Sequence, residues 1–485
     1  MTDHVNEQRR HLSSALERTG LSTEQLWIRY FALGGDVGSM ELEAYLNELM
    51  ELPSLQRDML ALAVNERLDE LTRPRYVPYS RPVRDNLPLD GPLAALVELL
   101  DGMHLAPPER LSAITAAAGR LLDVSIEIYL VDYDQRKLIP LPGPENTAEE
   151  AALGVDSTLP GRAFRHVQTI PSGPGGGRHL WVPLLDGVER LGVLKVSPAK
   201  AADVHDPRLR TRCRWLSTLI GHLVTIVSHY GNGLDQYRLR RQRSAAGELI
   251  WNLLPPLTAG TDTFALAGLL EPCYDVGGDA FDYSLSEKTA SLAIFDAVGH
   301  DLHSGFIAGA VLAAYRSARR AGHGLAEQAR AIEETVVGQF GAGMSATGVL
   351  AELDLRTGRL RYLVAGHPRP LVLRSGKVVK TLDRGSRLPL GLGDGDLIIA
   401  EETLQPGDWL VLHTDGVTEA RDPAGEFFGD ERLVDFLERE AASGHPPPET
   451  VRRLVHAVLE YQDGVLQDDA TVLLARWIAQ DELTP

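Results

Sequence analysis

Carboxylates placed where strands end in turns can hold divalent cations, and the second half of the chain has five of them. Asp279 follows Gly277 and Gly278, and Asp296 stands three residues before Gly299. Between them Ser286, Glu287, Lys288 and Thr289 supply turn chemistry, so the flanking strand-like segments are expected to fold back as a hairpin with both carboxylates at one end. Further on, the apolar segment WLVLHTDGVT (Trp409–Thr418) runs into Asp415 and Gly416, and QDDATVLL (Gln467–Leu474) opens with Asp468 and Asp469. Two unit charges about 4 Å apart repel by about 4 kcal/mol at an effective dielectric near 20, so a converged set either protonates or recruits cations. Oxygen-only ligands select Mg²⁺ or Mn²⁺ over zinc. A single Asp-Gly pair is more often an ordinary turn. The ordered series of such sites is what points to a metal-binding edge.

The same residues fall into an ordered set of motifs: GGD (Gly277–Asp279), DAVGH (Asp296–His300), AGHPRPL (Ala365–Leu371), TDGVTEARD (Thr414–Asp422) and DDAT (Asp468–Thr471). This set resembles the metal-dependent type 2C (PPM) serine/threonine phosphatases, most closely their bacterial SpoIIE-type branch, over about Ser244 to Ile478. The resemblance implies two Mn²⁺ or Mg²⁺ ions bridged by Asp296, with Asp296 and Asp279 at the catalytic centre. The backbone carbonyl of Ala297 and the carboxylate of Asp279 would serve one ion, and Asp415 and Asp468 the other. Between two such ions a shared water attacks phosphorus in line. Asp469 is an alternative to Asp468, but along a strand the next side chain points away, which favours Asp468.

Several positions depart from the pattern or invite other readings. Asp301 stands where the family more often has glycine and reads as a helix N-cap. Val298 occupies the position at which eukaryotic members carry a histidine acid, so that role does not transfer and the proton donor is unassigned. His300 and His303 read as packing at a helix start, and His367 and His413 as structural. GGDAF is also similar to the GGDEF signature of diguanylate cyclases, but Ala280 replaces the glutamate and the cyclase reading leaves the downstream motifs unexplained. A degenerate scaffold that binds a phosphoprotein without hydrolysing it is a third reading. By resemblance the substrate would be a phosphorylated anti-sigma-factor antagonist.

The elements needed to position this edge imply an α/β multidomain chain. A helical bundle is expected over 1–75, where Leu26, Trp27, Tyr30 and Phe31, then Leu42, Tyr45, Leu46 and Leu49, recur at helical spacing. Residues 76–92 read as a Pro- and Arg-containing linker. Over 93–230 the run LPGRAF (Leu159–Phe164) and the hairpin His179–Pro198 are similar to GAF sensor domains, which implies a possible small ligand. Gly175, Gly176 and Gly177 read as a loop, since no Lys-Ser/Thr follows. Residues 231–256 read as a helical linker, part of a helix from about Leu209 to Leu254 broken near Gly231–Gly233. Its stripe Leu216, Ile220, Leu223, Ile226 and Val227 and its basic patch Arg238, Arg240, Arg241 and Arg243 suggest a signalling helix that pairs in a homodimer. Residues 257–480 are expected to form an αββα sandwich, with Leu302, Phe306, Ile307, Val311 and Tyr315 directed toward a core.

Composition sets outer limits. The chain has 485 residues, 44% of them hydrophobic, which suffices for two to four domains with sizeable cores. A net charge of −19 argues against non-specific nucleic-acid binding. The apolar run around Leu219–Val227 is too short to span a bilayer and MTDHVNEQRR lacks a signal-peptide core, so no membrane partner and a cytoplasmic location are expected. Cys213 and Cys273 make neither a disulfide framework nor a zinc cluster. Leu219 and Asp279 occupy the sixth position after each, which excludes a Cys-x₅-Arg phosphatase loop.

Overall fold

A computed structural model describes residues 2–71, 91–141, 152–172, 179–200, 204–271, 277–299, 301–393 and 397–478. Most of the expected linker, Gly175–Gly177, Cys273 and His300 lie outside the described residues. The chain divides into two compact units, Met1–Ala94 and Ala95–Pro485.

The first unit's described residues include the helices α1 (Thr2–Thr19), α2 (Thr23–Ala32), α3 (Ser39–Leu46) and α4 (Ser54–Glu70). Ser22 starts α2 through a reciprocal cap, accepting from Gln25 N at 3.2 Å while its own amide donates to Gln25 Oε1 at 2.9 Å. Leu26, Tyr30, Leu42 and Tyr45 bury their side chains with Leu60 and Val64. Phe31 and Leu49, read from spacing as part of the apolar stripes, are instead 60% and 79% exposed.

In the second unit the chain passes through α5 (Gly91–Met103), α6 (Leu111–Arg120), β1 (Val124–Val131), β2 (Lys137–Pro140), β3 (Leu153–Gly154), α7 (Leu159–His166), β4 (Ile170–Pro171), β5 (Leu180–Asp186), β6 (Glu189–Pro198) and α8 (Pro207–Ser228). The six strands form one sheet in the order β3-β2-β1-β6-β5-β4. Leu216, Ile220, Leu223 and Val227 of α8 pack into its core as their spacing predicts. Ile226 does not, being 50% exposed, as are Trp215 and Tyr230 at 64% and 65%.

The expected long helix is a correction. After α8 come only a short α9 (Asp235–Arg238), an extended residue at Leu239 and then α10 (Ala245–Leu253), capped by Ser244. Two of the arginines lie over aromatic rings rather than along a helix surface. The Arg238 and Arg243 guanidinium groups lie 4.3 and 4.4 Å from the Tyr133 ring centroid, and Arg243 also lies 4.8 Å from that of Trp251.

The remaining strands and helices make two packed sheets. They are β7 (Thr258–Thr261), β8 (Phe264–Glu271), β9 (Asp279–Leu285), β10 (Thr289–Ala297), α11 (Leu302–Arg320), α12 (Leu325–Phe340), β11 (Ala346–Asp354), β12 (Arg359–Ala365), β13 (Leu371–Arg374), β14 (Lys377–Thr381), β15 (Ser386–Arg387), β16 (Ala400–Thr403), β17 (Trp409–His413), α13 (Asp415–Thr418), α14 (Gly429–Ala442), α15 (Pro447–Tyr461) and β18 (Ala470–Trp477). One sheet runs β15-β12-β11-β10-β9 with β16 beside β12; the other runs β14-β13-β17-β18-β8-β7. Alternation shows why the second sheet reads as continuous apolar sequence. Leu410, Leu412, Leu473 and Ala475 face the first sheet, while Trp409, Val411, Val472 and Leu474 face α14 and α15. Helices α11 and α12 cover the first sheet, with the Phe295 and Tyr315 rings in edge contact at 5.6 Å. Leu302 and Phe306, expected in that core, are 43% and 51% exposed.

A buried charge network joins the central sheet to α15. Arg452, 1% exposed, donates to Glu449 at 2.8 and 2.9 Å, to Asp156 Oδ1 at 2.6 Å and to the Gln135 carbonyl at 3.3 Å. Arg190 reaches the same Glu449 at 3.3 Å. His456 Nε2 lies 2.9 Å from the Asp134 carbonyl and its Nδ1 3.3 Å from Arg452 Nη1. Burial, and then the neighbouring Arg452 charge, push the His456 pKa down to about 4, so the ring is neutral and donates from Nε2.

Candidate metal centre

The hairpin brings Asp279 and Asp296 directly opposite each other on β9 and β10. Ala297 N donates to Gly278 O at 3.0 Å, which makes the neighbouring Asp279–Asp296 pair a non-hydrogen-bonded one. Side chains of such a pair lie close together on one face, with Cβ atoms about 4.5–5.5 Å apart. That face looks toward the second sheet, where β18 and the residue after β17 supply the partners. Asp279 Oδ2 accepts from Thr471 Oγ1 at 2.6 Å and from Thr414 Oγ1 at 2.7 Å.

Two glycines permit the close approach of these elements. A Cβ at Gly278 would stand 2.2 Å from the Ala297 carbonyl oxygen, and one at Gly416 would stand 1.9 Å from the Asp469 carbonyl oxygen. The first brings the GGD turn against the strand end that carries Asp296 and Ala297. The second brings the start of α13, and with it Asp415, against the residues before β18.

The electrostatics show that the acidic groups influence one another. Burial raises the Asp279 pKa well above the carboxylate range, and the Asp469 and Asp296 charges raise it further. Asp296 is pushed up to about 7, by burial first and then by Asp415, Asp468 and Asp469. Asp415 is raised by burial and by Asp468. All four sequence-predicted aspartates therefore belong to one interacting set. Among the described residues no group of three or more His, Cys, Asp or Glu side chains is gathered closely enough to hold a metal ion. The donors still fit hard divalent cations: they are oxygens only, they repel one another, and glycine keeps Cβ atoms away from the Ala297 carbonyl.

Asp469 departs from the strand argument. β18 begins at Ala470, so strand alternation does not govern the two residues before it. Asp469 is 6% exposed, and its Oδ2 accepts from the amides of Gly277, Gly278 and Asp279 at 2.6, 3.0 and 3.3 Å. Its carboxylate clamps the GGD turn, whereas Asp468 is exposed and accepts from Asp469 N at 2.9 Å. Thr414, Thr471 and this role of Asp469 were missed from sequence. Their partners lie in distant motifs, which local pattern does not reveal.

Other candidates fall around the site. Asp301 caps α11, accepting from His303 N at 2.9 Å and Ser304 N at 3.2 Å. His303 packs edge-on to Phe340 at 5.7 Å. His367 is buried with Nδ1 2.7 Å from Thr347 Oγ1, and Thr347 is the cross-strand partner of Asp296. His413 is buried on β17, one residue before Thr414. Asp282, buried on β9, pairs with Arg316 and Arg319 of α11 at 2.9 Å each and fixes that helix to the hairpin.

Comparison with known proteins places this region among relatives. The family model for Stage II sporulation protein E (SpoIIE) matches residues 286–478. Phosphoserine phosphatase RsbU of Bacillus subtilis (strain 168) is 23% identical over 263 residues, which is 54% of this chain and 77% of RsbU. Protein IcfG of Synechocystis sp. is 30% identical over 132 residues, which is 27% of this chain but only 20% of IcfG. Among solved structures, the SiaA-PP2C domain of Pseudomonas aeruginosa aligns with 24% identity and a TM-score of 0.41, covering 48% of this chain and 94% of that domain.

Proposed function

Since residues 286–478 belong to the SpoIIE family of PP2C-type phosphatase domains, we propose that the chain is a metal-dependent protein serine/threonine phosphatase. The observation that carries this reading is the opposed Asp279–Asp296 pair, electrostatically coupled to Asp415 and Asp468. Asp296 would bridge two Mn²⁺ or Mg²⁺ ions; Asp279 and the Ala297 carbonyl would serve one of them and Asp415 and Asp468 the other. Bound there, such ions would activate water and offset the charge that builds on the phosphoryl oxygens.

The chain's own residues supply the positioning. Thr414 and Thr471 hold the Asp279 carboxylate, Asp469 ties down the three amides of the GGD turn, and Asp282 fixes the hairpin to α11. These bonds hold the carboxylates and the turn in fixed positions, which is what preorganisation of the site requires.

The substrate class follows from the relatives and the resemblance. RsbU is a phosphoserine phosphatase by name, which supports a phosphorylated protein as substrate, and the SpoIIE-type branch suggests an anti-sigma-factor antagonist. The central domain, read as GAF-like, would act as a sensor with a small ligand. The exposed Trp215, Ile226 and Tyr230 on and just after α8 support a homodimer through that helix. No described helix is long and apolar enough to cross a membrane.

Hydrolysis of an aryl phosphate and of a phosphoserine peptide, with and without Mn²⁺, tests the proposal. Turnover that requires Mn²⁺ supports it. No turnover favours a phosphoprotein-binding scaffold, and consumption of GTP instead favours a nucleotide cyclase.

A further inference from the structure

Within AGHPRPL the chain turns at Gly366, whose φ of 64° suits a residue without a Cβ and whose amide donates to the Arg387 carbonyl at 2.9 Å. The turn delivers His367 from the end of β12 to Thr347 on β11. There the ring, 6% exposed, sets Nδ1 2.7 Å from the threonine hydroxyl oxygen.

Thr347 pairs with Asp296 across β10 and β11, as Asp279 pairs with Asp296 across β9 and β10. Asp279, Asp296 and Thr347 therefore stand in one row on the face turned toward the second sheet, Asp296 in the middle, with opposite Cβ atoms about 4.5–5.5 Å apart. Three threonine hydroxyls thus border the acidic set. Thr414 and Thr471 both donate to a single oxygen of Asp279, Oδ2, so its Oδ1 is left to a cation. A carboxylate that bridges two ions has to spend both oxygens, and a hydroxyl that donates to it competes with a cation. Among the described residues the Thr347 hydroxyl bonds His367 and not Asp296.

We infer that His367 is a positioning residue for the metal centre: its Nδ1 accepts the Thr347 hydroxyl proton and so keeps that hydroxyl from Asp296. The inference rests on the two-ion reading of the centre. Burial first, and then the neighbouring His413, push the His367 pKa down to about 3, so the ring is neutral and one of its nitrogens is a bare acceptor. The His413 backbone beside the ring favours a ring proton. With Nδ1 engaged by Thr347, that proton falls to Nε2, which is buried without a hydrogen bond of ordinary geometry. A hydroxyl proton drawn to the imidazole is one that the bridging carboxylate does not receive.

The tautomer is read on the full, unaltered chain by nitrogen NMR of the imidazole, assigned through its proximity to the Thr347 methyl group. Nε2 protonated and Nδ1 bare is the expected result. A proton on Nδ1 overturns the inference, because Thr347 must then accept and its own proton is released toward Asp296. Calorimetric titration of the full chain with Mn²⁺ reads the consequence. His367→Phe is expected to weaken binding about tenfold, and adding Thr347→Val, which removes the competing hydroxyl, to restore it to within about twofold of the unaltered chain. A merely structural histidine predicts the reverse, since a second substitution in the same cluster would add to the damage. Unchanged affinity in His367→Phe, or a double variant that binds no better than the single, overturns the inference. Should His367→Phe fail to fold, the tautomer of the unaltered chain decides. An unaltered chain that binds no Mn²⁺ contradicts the two-ion reading itself, and the tautomer, which needs no metal, tells that failure apart.

Discussion

Thr471 and Asp279, 192 positions apart in the chain, are joined across the two sheets by a 2.6 Å hydrogen bond from hydroxyl to carboxylate. The bond ties the edge of the first sheet to the start of strand β18, and Thr414 repeats it on the same oxygen at 2.7 Å. Thr471→Val keeps the side-chain shape but leaves a buried carboxylate with one hydroxyl instead of two. Its expected cost is about 1–3 kcal/mol in urea denaturation, with weaker Mn²⁺ binding because Asp279 is no longer held.

Gly278 carries the second prediction. Alanine there would place a Cβ 2.2 Å from the Ala297 carbonyl oxygen, so β9 must move away from the end of β10. Gly278→Ala is expected to lower Mn²⁺ affinity at least tenfold and stability by about 1–3 kcal/mol, read by calorimetric titration and thermal melting. An unchanged affinity would mean that the carbonyl has no part in the site.

Arg452 and Glu449, 1% and 0% exposed, form the buried core of the contact between the central sheet and α15. Arg452→Met would leave Glu449 with Arg190 alone, at 3.3 Å, and is expected to destabilise the second unit by about 3–5 kcal/mol. Adding Glu449→Gln should recover part of that loss, because a neutral amide needs no counter-charge. Denaturant titrations of the single and double variants check both statements.

His456 predicts a pH dependence at the same contact. Its folded pKa, about 4, lies below the ordinary 6.5, so in that interval the unfolded chain binds a proton that the folded chain refuses. The contribution is whole above about pH 6.5 and is lost as pH falls through about 4, at most about 3 kcal/mol. His456→Gln, which cannot titrate, should flatten that part of the stability profile measured from pH 4 to 7.

Residues whose role depends on local pattern were legible in the sequence; those whose role depends on a distant partner were not. The turn at Ser286–Thr289 and the glycines beside Asp279 place that residue opposite Asp296 before any tertiary contact is considered. The Asp301 cap is equally local. Asp469 defeats the strand argument because it precedes the strand, and what it accepts from lies about 190 residues upstream. Phe306 and Ile226 follow helical spacing yet stay exposed, since periodicity marks a face without saying what covers it. The arginines after α8 read as a charged helix surface, and only the folded position of Tyr133 shows that two of them pack on its ring.

Calorimetric titration of the metal-free chain with Mn²⁺, run beside aryl phosphate hydrolysis, tests the convergence of the aspartates most directly. The account predicts two ions bound per chain, with loss of the bridging site in Asp296→Asn and a fall in turnover of about a thousandfold or more. Asp296→Asn binding two ions with unchanged affinity, or turnover that persists in excess chelator, would contradict it.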